Sequence, residues 1–152
     1  MTKRVRRKVG DIVSIPLSDG QYTYGRVLAE PLIAIYNHVS VSEADVETVL
    51  SRPVKYILAV MNNAVTSGRW RVIGRVDLEA GLQKTVRFFQ QDKFSGKLSI
   101  YVEGEEFPAT LEDCLGLERN AVWDAEHVED RILDEINGRP NKWVESLKLK
   151  LN

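Results

Sequence analysis

Short apolar runs, alternating or continuous, fill the first two-thirds of the chain, and a four-residue apolar period appears only near its end. Residues 12–17 (IVSIPL) predict a strand, and Pro16, which lacks a ladder donor, confines it to an edge or ends it. Asp19-Gly20 marks a hairpin turn into a second strand at 22–28, where Gly25 predicts a bulge or bend. A third apolar run, 32–36, follows Pro31. Ser42, with Asp45 three positions on, predicts a capped helix over 43–50 that stops before Pro53. The β-branched and aromatic run 54–61 predicts a buried strand, and 70–76 predicts another strand with Trp70, Val72 and Gly74 on one face.

A short helical piece at 78–82 leads into a second meander, 86–90, 98–102 and 107–109, with Gly104 turning the last pair. After Pro108 the character changes. Thr110 and Asp113 form a capping box for a short helix through Cys114. Asp124 caps a longer helix that stops at Gly138, with Val128, Ile132 and Ile136 as its buried stripe. Asn141 caps a last helical turn carrying Trp143, and Leu147, Leu149 and Leu151, alternating with lysines, predict a terminal strand. The expected class is α+β: a mostly antiparallel, curved β-sheet or partly open barrel with a few helices, the longest near the C-terminus.

Composition narrows this picture. A chain of 152 residues suits one domain, expected over 11–152, behind a flexible basic arm at 1–10 that carries Lys3, Arg4, Arg6, Arg7 and Lys8. No apolar run approaches the roughly 20 residues of a membrane span, and no apolar signal core follows the arm. One cysteine, Cys114, cannot pair within the chain and suits a reducing compartment. A soluble cytoplasmic protein without membrane attachment is expected. The net charge of −1 hides an asymmetry: between Glu103 and Glu135, twelve carboxylates face two arginines, a formal charge of −10. Glu126, Asp130 and Asp134 fall at four-residue steps and form a ridge of like charge on the long helix.

Candidate chemistry is sparse. His38, His127 and Cys114 form no recognisable nucleophile–base set, and Asp113 beside Cys114 raises a thiol's pKa, the wrong direction for activation. Glu126, His127 and Asp130 lack any metal-ligand spacing, and neither GxGxxG nor GxxxxGK[ST] occurs. No catalytic residue, metal or cofactor is assigned. The acidic ridge reads either as a solvated face or as a docking surface for a basic partner. In the second reading Glu126, Glu129, Asp130 and Asp134 are the charged contacts and Trp123 an anchor, although core packing also suits a tryptophan. The alternative is a nucleic-acid-binding small β-barrel module using the arm, Arg69, Arg71 and Arg75, with Tyr22 and Tyr24 on the hairpin. The acidic C-terminal third opposes it by repelling phosphates.

Three stretches, GDIVSIPLSDGQYTYGRVL at 10–28, TSGRWRVIG at 66–74 and GLERNAVWDAEHVEDRILDEINGRPNKWVES at 116–146, together resemble the immunity protein 26 family of bacterial polymorphic toxin systems. The resemblance extends over 9–149 and leaves the arm outside. It implies a protein that binds a cognate toxin and blocks it in the producing cell. An acidic face suits a toxin, such as a nuclease, whose active site grips an anionic substrate.

Overall fold

The computed structural model describes residues 4–151. Its larger sheet takes in β1 (Asp11–Pro16), β2 (Tyr22–Val27), β3 (Leu32–Tyr36), β4 (Val54–Val60), β5 (Arg71–Arg75) and β9 (Val122–Trp123). The strand order is β5-β1-β2-β3-β4-β9. Every pairing is antiparallel except β4 with β9, and the sheet curves without closing into a barrel. The β1–β2 turn forms where expected: Gly20 takes φ 89°, and the Asp19 carboxylate accepts the Gln21 N–H at 3.0 Å. Glycine is the residue that enters that region without strain.

Both faces of this sheet are covered, which is why β1 is buried at five of its six positions. Val13, Ile15, Val27, Ile33, Ile35 and Leu58 face Val128 and Ile132 of α4 (Ala125–Ile136), with Trp70 and Trp123 beside them. On the other face Ile12, Tyr24 and Tyr36 meet Val49 of α1 (Val46–Leu50). Gly25 lets three strands close up: a Cβ there would lie 3.1 Å from Ile33 Cγ2 and 3.2 Å from the Ala34 carbonyl. Ile12 pairs with Gly74 but Val13 with Val72, so Ile73 is an extra residue in the ladder. That bulge overturns the expectation that Gly74 shares a face with Trp70 and Val72. Gly74 instead abuts Val46, whose Cγ2 would be 2.8 Å from an added Cβ.

Helix α1 begins later than expected, because Asp45 rather than Ser42 is its cap. Asp45 Oδ1 accepts the Thr48 N–H at 2.8 Å, while the Ala44 N–H is drawn to the Tyr24 hydroxyl at 2.7 Å. The short helix α2 (Asn63–Thr66) had no signature in the sequence pattern. The 78–82 piece is a single 3-10 turn at Ala80–Leu82.

The smaller sheet, β6 (Phe88–Gln91), β7 (Leu98–Val102) and β8 (Glu105–Pro108), packs Phe89 and Ile100 on Cys114 of α3 (Leu111–Cys114). The Thr110–Asp113 capping box is present. Residues 118–123 stitch the two sheets: Glu118 and Asn120 bond the Phe89 backbone, then Val122–Trp123 joins β4 as β9. No terminal strand forms. Helix α5 (Lys142–Leu147) continues to Leu147, and the tail is held by side chains instead. The Gln91 carboxamide donates to the Lys150 carbonyl (2.9 Å) and accepts its N–H (3.0 Å), and the Arg119 guanidinium donates to the Leu147 carbonyl. An amide side chain thus makes the two bonds that a neighbouring strand would make.

Of the basic arm, residues 1–3 lie outside the described residues. Beyond them the Val5 N–H reaches the Thr66 carbonyl and Arg7 the Leu32 carbonyl, each at 2.8 Å.

Candidate functional site

Helix α4 carries the acidic ridge. Its buried stripe is Ala125, Val128, Glu129 and Ile132, on the i, i+3, i+4, i+7 pattern of one helix face. Ile136, expected in that stripe, is partly exposed at the C-terminal end. Asp124 occupies the cap position, but its carboxylate makes no capping bond and lies 3.6 Å from His127 Nδ1. Gly138, at φ 66°, ends the helix.

The five residues singled out on this segment do not form one surface. Glu129 turns inward and is only 8% exposed. It accepts both Arg69 Nε (2.8 Å) and Nη2 (2.7 Å), and the indole N–H of fully buried Trp70 at 2.8 Å. Trp123 is core, with the Arg131 guanidinium 5.1 Å from its ring. Asp134 accepts from Arg139 (3.2 Å) and from Asn141 Nδ2 (3.0 Å). Asn141 in turn caps α5 through the Trp143 and Val144 N–H groups, so Asp134 fastens α4 to α5. Glu126 and Asp130 are exposed and, among the described residues, engage no hydrogen-bond or ion-pair partner. Both lie close enough to Arg69 to act on its charge. The Arg69 pKa is held above the ordinary value by the hydrogen bonds it donates to Glu129, against desolvation, with Glu126 and Asp130 adding to it.

Behind the ridge lies a network that the spacing did not reveal. Buried Arg131 forms a bidentate pair with Glu118 (2.8 and 2.8 Å) and sits 4.0 Å from the Tyr56 ring. Glu135 accepts the Tyr56 hydroxyl at 2.6 Å and pairs with Lys55 at 3.2 Å. Burial is the main reason that the Tyr56 hydroxyl is pushed far above its ordinary pKa. Helical spacing alone puts Arg131 within reach of Asp134 and Glu135. It lies 3.8 Å from Glu135, but its principal partner, Glu118, is thirteen residues away in sequence.

The arginines around β5 are likewise engaged. Arg69 pairs with Glu129, Arg71 with Glu43, and Arg75 with Asp11 at 2.8 Å. Arg69 turns to α4 and Arg71 to the segment before α1. Tyr24 is buried, its hydroxyl within 2.6 Å of Ser40 Oγ, and presents no stacking face. Arg26 is fully buried and bonded to the Gly10, Val76 and Asp77 carbonyls, to Tyr36 and to Glu79. Burial works against its charge, but these partners outweigh it and the pKa stands above the ordinary value. Cys114 is buried, and desolvation with Asp113 pushes its thiol up. His127 stacks on Trp143 with ring centroids 3.7 Å apart. Among the described residues, no group of three or more His, Cys, Asp or Glu side chains is placed to hold a metal ion.

Fold and surface together define an α+β protein whose buried charges, Asp11, Arg26, Glu129 and Arg131, are paired internally. The family model for Immunity protein 26 matches residues 8–99, more than half of the chain, and the chain belongs to that family. The match takes in the first two stretches that carry the resemblance and ends before the third, so α4 lies beyond it. Neither a search of curated proteins nor one of solved structures finds a match. No helix among the described residues is long and apolar enough to cross a membrane.

Proposed function

We propose that this protein binds a cognate bacterial toxin in the cytoplasm of the producing cell and neutralises it by occlusion, without catalysis. Residues 11–152 act as one domain behind the basic arm. Occlusion requires only fit and affinity, over an interface of roughly 1,200–2,000 Å² in total. The observation that carries the acidic-ridge reading is the pair Glu126 and Asp130. They are one helical turn apart and exposed, and no hydrogen bond or ion pair holds them among the described residues. Asp134 borders them, whereas Glu129 and Trp123 support the ridge from beneath and take no part in contact. Such a surface suits a toxin with a cationic active-site cleft, as in a nuclease. The ion pairs that engage Arg69, Arg71 and Arg75 weigh against the nucleic-acid-binding alternative.

Charge reversal tests this. Glu126→Lys with Asp130→Lys should slow association with the toxin encoded beside this gene by about tenfold or more at low salt and flatten the salt dependence of the on-rate. Stopped-flow or surface-based kinetics measure both. Unchanged kinetics would remove the ridge from the interface. Tight binding of a labelled oligonucleotide at about 50 mM salt, where phosphate contacts are strongest, would favour the alternative.

A further inference from the structure

Among the described residues, the most exposed large apolar side chain lies far from the ridge in sequence. Phe94, at the tip of the β6–β7 hairpin, is 95% exposed. The tip is nevertheless a built structure. Asp92 Oδ2 accepts both the Ser95 N–H (2.9 Å) and the Ser95 hydroxyl (2.5 Å). The Asp92 carbonyl accepts the Gly96 N–H at 2.9 Å, and the Asp92 N–H closes on the Lys97 carbonyl at 2.8 Å. Gly96, at φ 75°, supplies the left-handed residue that the turn needs. The turn closes the β6–β7 hairpin, but a phenylalanine ring left in water adds nothing to that closure. Preordering does lower the conformational cost of inserting that ring into a partner.

The surroundings give the partner's chemistry. A hollow of about 420 Å³ beside Phe94 is lined by Lys93 and Lys150, by Arg119, which is held by the Leu147 and Lys148 carbonyls, and by one carboxylate, Asp92, so its lining is net positive. Ser146 and Leu147, at the end of α5, complete its wall. The start of α5 lines a second hollow of about 310 Å³, where Asp130 and Asp134 stand with Arg139, which pairs with Asp134, and Lys142. Helix α5 has six residues, about 9 Å of axis. The acidic ridge and the basic aromatic tip therefore border opposite ends of one short helix, a separation on the scale of a standard interface of about 800 Å² per partner.

We propose that the 93–97 tip is a second contact on the same toxin, seating Phe94 in an apolar socket rimmed by carboxylates while the α4 ridge meets a cationic cleft. This rests on the toxin-binding reading above. A protein socket fits better than a membrane surface, because one aromatic ring and a few lysines supply too little apolar insertion for stable anchoring.

The test titrates the toxin domain encoded by the adjacent gene into wild type, F94A and K93E/K97E, with thermal melts run alongside. F94A should weaken binding at least about tenfold, the scale of an interface hot spot, and K93E/K97E should slow association, with melting unchanged in both. F94A binding within twofold of wild type overturns the tip as a contact and leaves toxin binding intact. A wild-type protein that ignores the toxin overturns both readings. Loss of binding to phosphatidylglycerol vesicles in F94A, with toxin affinity unaltered, overturns the protein socket in favour of a lipid surface.

Discussion

Glu129 shows how one side chain can look like surface and serve as core. It sits between Val128 and Ile132, within the buried stripe of α4, where an unpartnered carboxylate would be costly. Its two oxygens are instead shared among Arg69 Nε, Arg69 Nη2 and Trp70 Nε1. Glu129→Ala should therefore destabilise the fold by about 1–3 kcal/mol, chiefly by stranding the buried indole N–H. The Arg69 half of the arrangement is nearly half exposed and adds little after solvent screening. Glu129→Gln keeps an acceptor for Trp70 and should lose less. Urea unfolding of the two variants measures the difference, and equal midpoints would refute the assignment. The stripe position was readable from helical spacing alone. The partner was not, because Arg69 lies sixty residues away.

Two of the short helices, α1 and α3, carry side-chain caps that satisfy a backbone N–H of the first turn. The Asp45 carboxyl is held below its ordinary pKa by the Thr48 backbone N–H and hydroxyl, and the Asp113 carboxyl by those of Thr110. Unfolded, both titrate near about 3.9. A depressed native pKa means that the stabilisation is complete above that unfolded value and disappears as pH falls through the native one. Thermal midpoints should hold steady from about pH 7 to 5 and decline below about pH 4. Asp45→Asn with Asp113→Asn keeps side-chain acceptors that do not titrate, and should flatten the acid limb. An unaltered acid limb in that double variant would show that the caps are not its source. The Thr110–Asp113 box was legible because both halves of the motif lie within four residues. The α1 cap was displaced to Asp45 because Tyr24, twenty residues earlier, takes the Ala44 N–H.

At the scale of the whole molecule, the region matched by the family, 8–99, cannot bury its own sheet. One face is covered by Val128 and Ile132 of α4, and β4 receives its outer neighbour from residues 122–123. A chain ended at residue 99 should lack a cooperative thermal transition and bind apolar dye. A sharp transition would show that the C-terminal third is dispensable to the fold. Strands such as 32–36 and 98–102 were readable to the residue, because alternation and turn chemistry are properties of neighbouring positions. So were the α+β class, the long C-terminal helix and the acidic segment that contains it. The amino-acid order could not tell that Ile73 is the bulge, that Gln91 replaces a terminal strand, or that Glu126 and Asp130 stay outward while Glu129 and Trp123 turn in. Those were decided by tertiary structure, because a charge is free or satisfied according to which distant residue folding brings within about 3 Å of it.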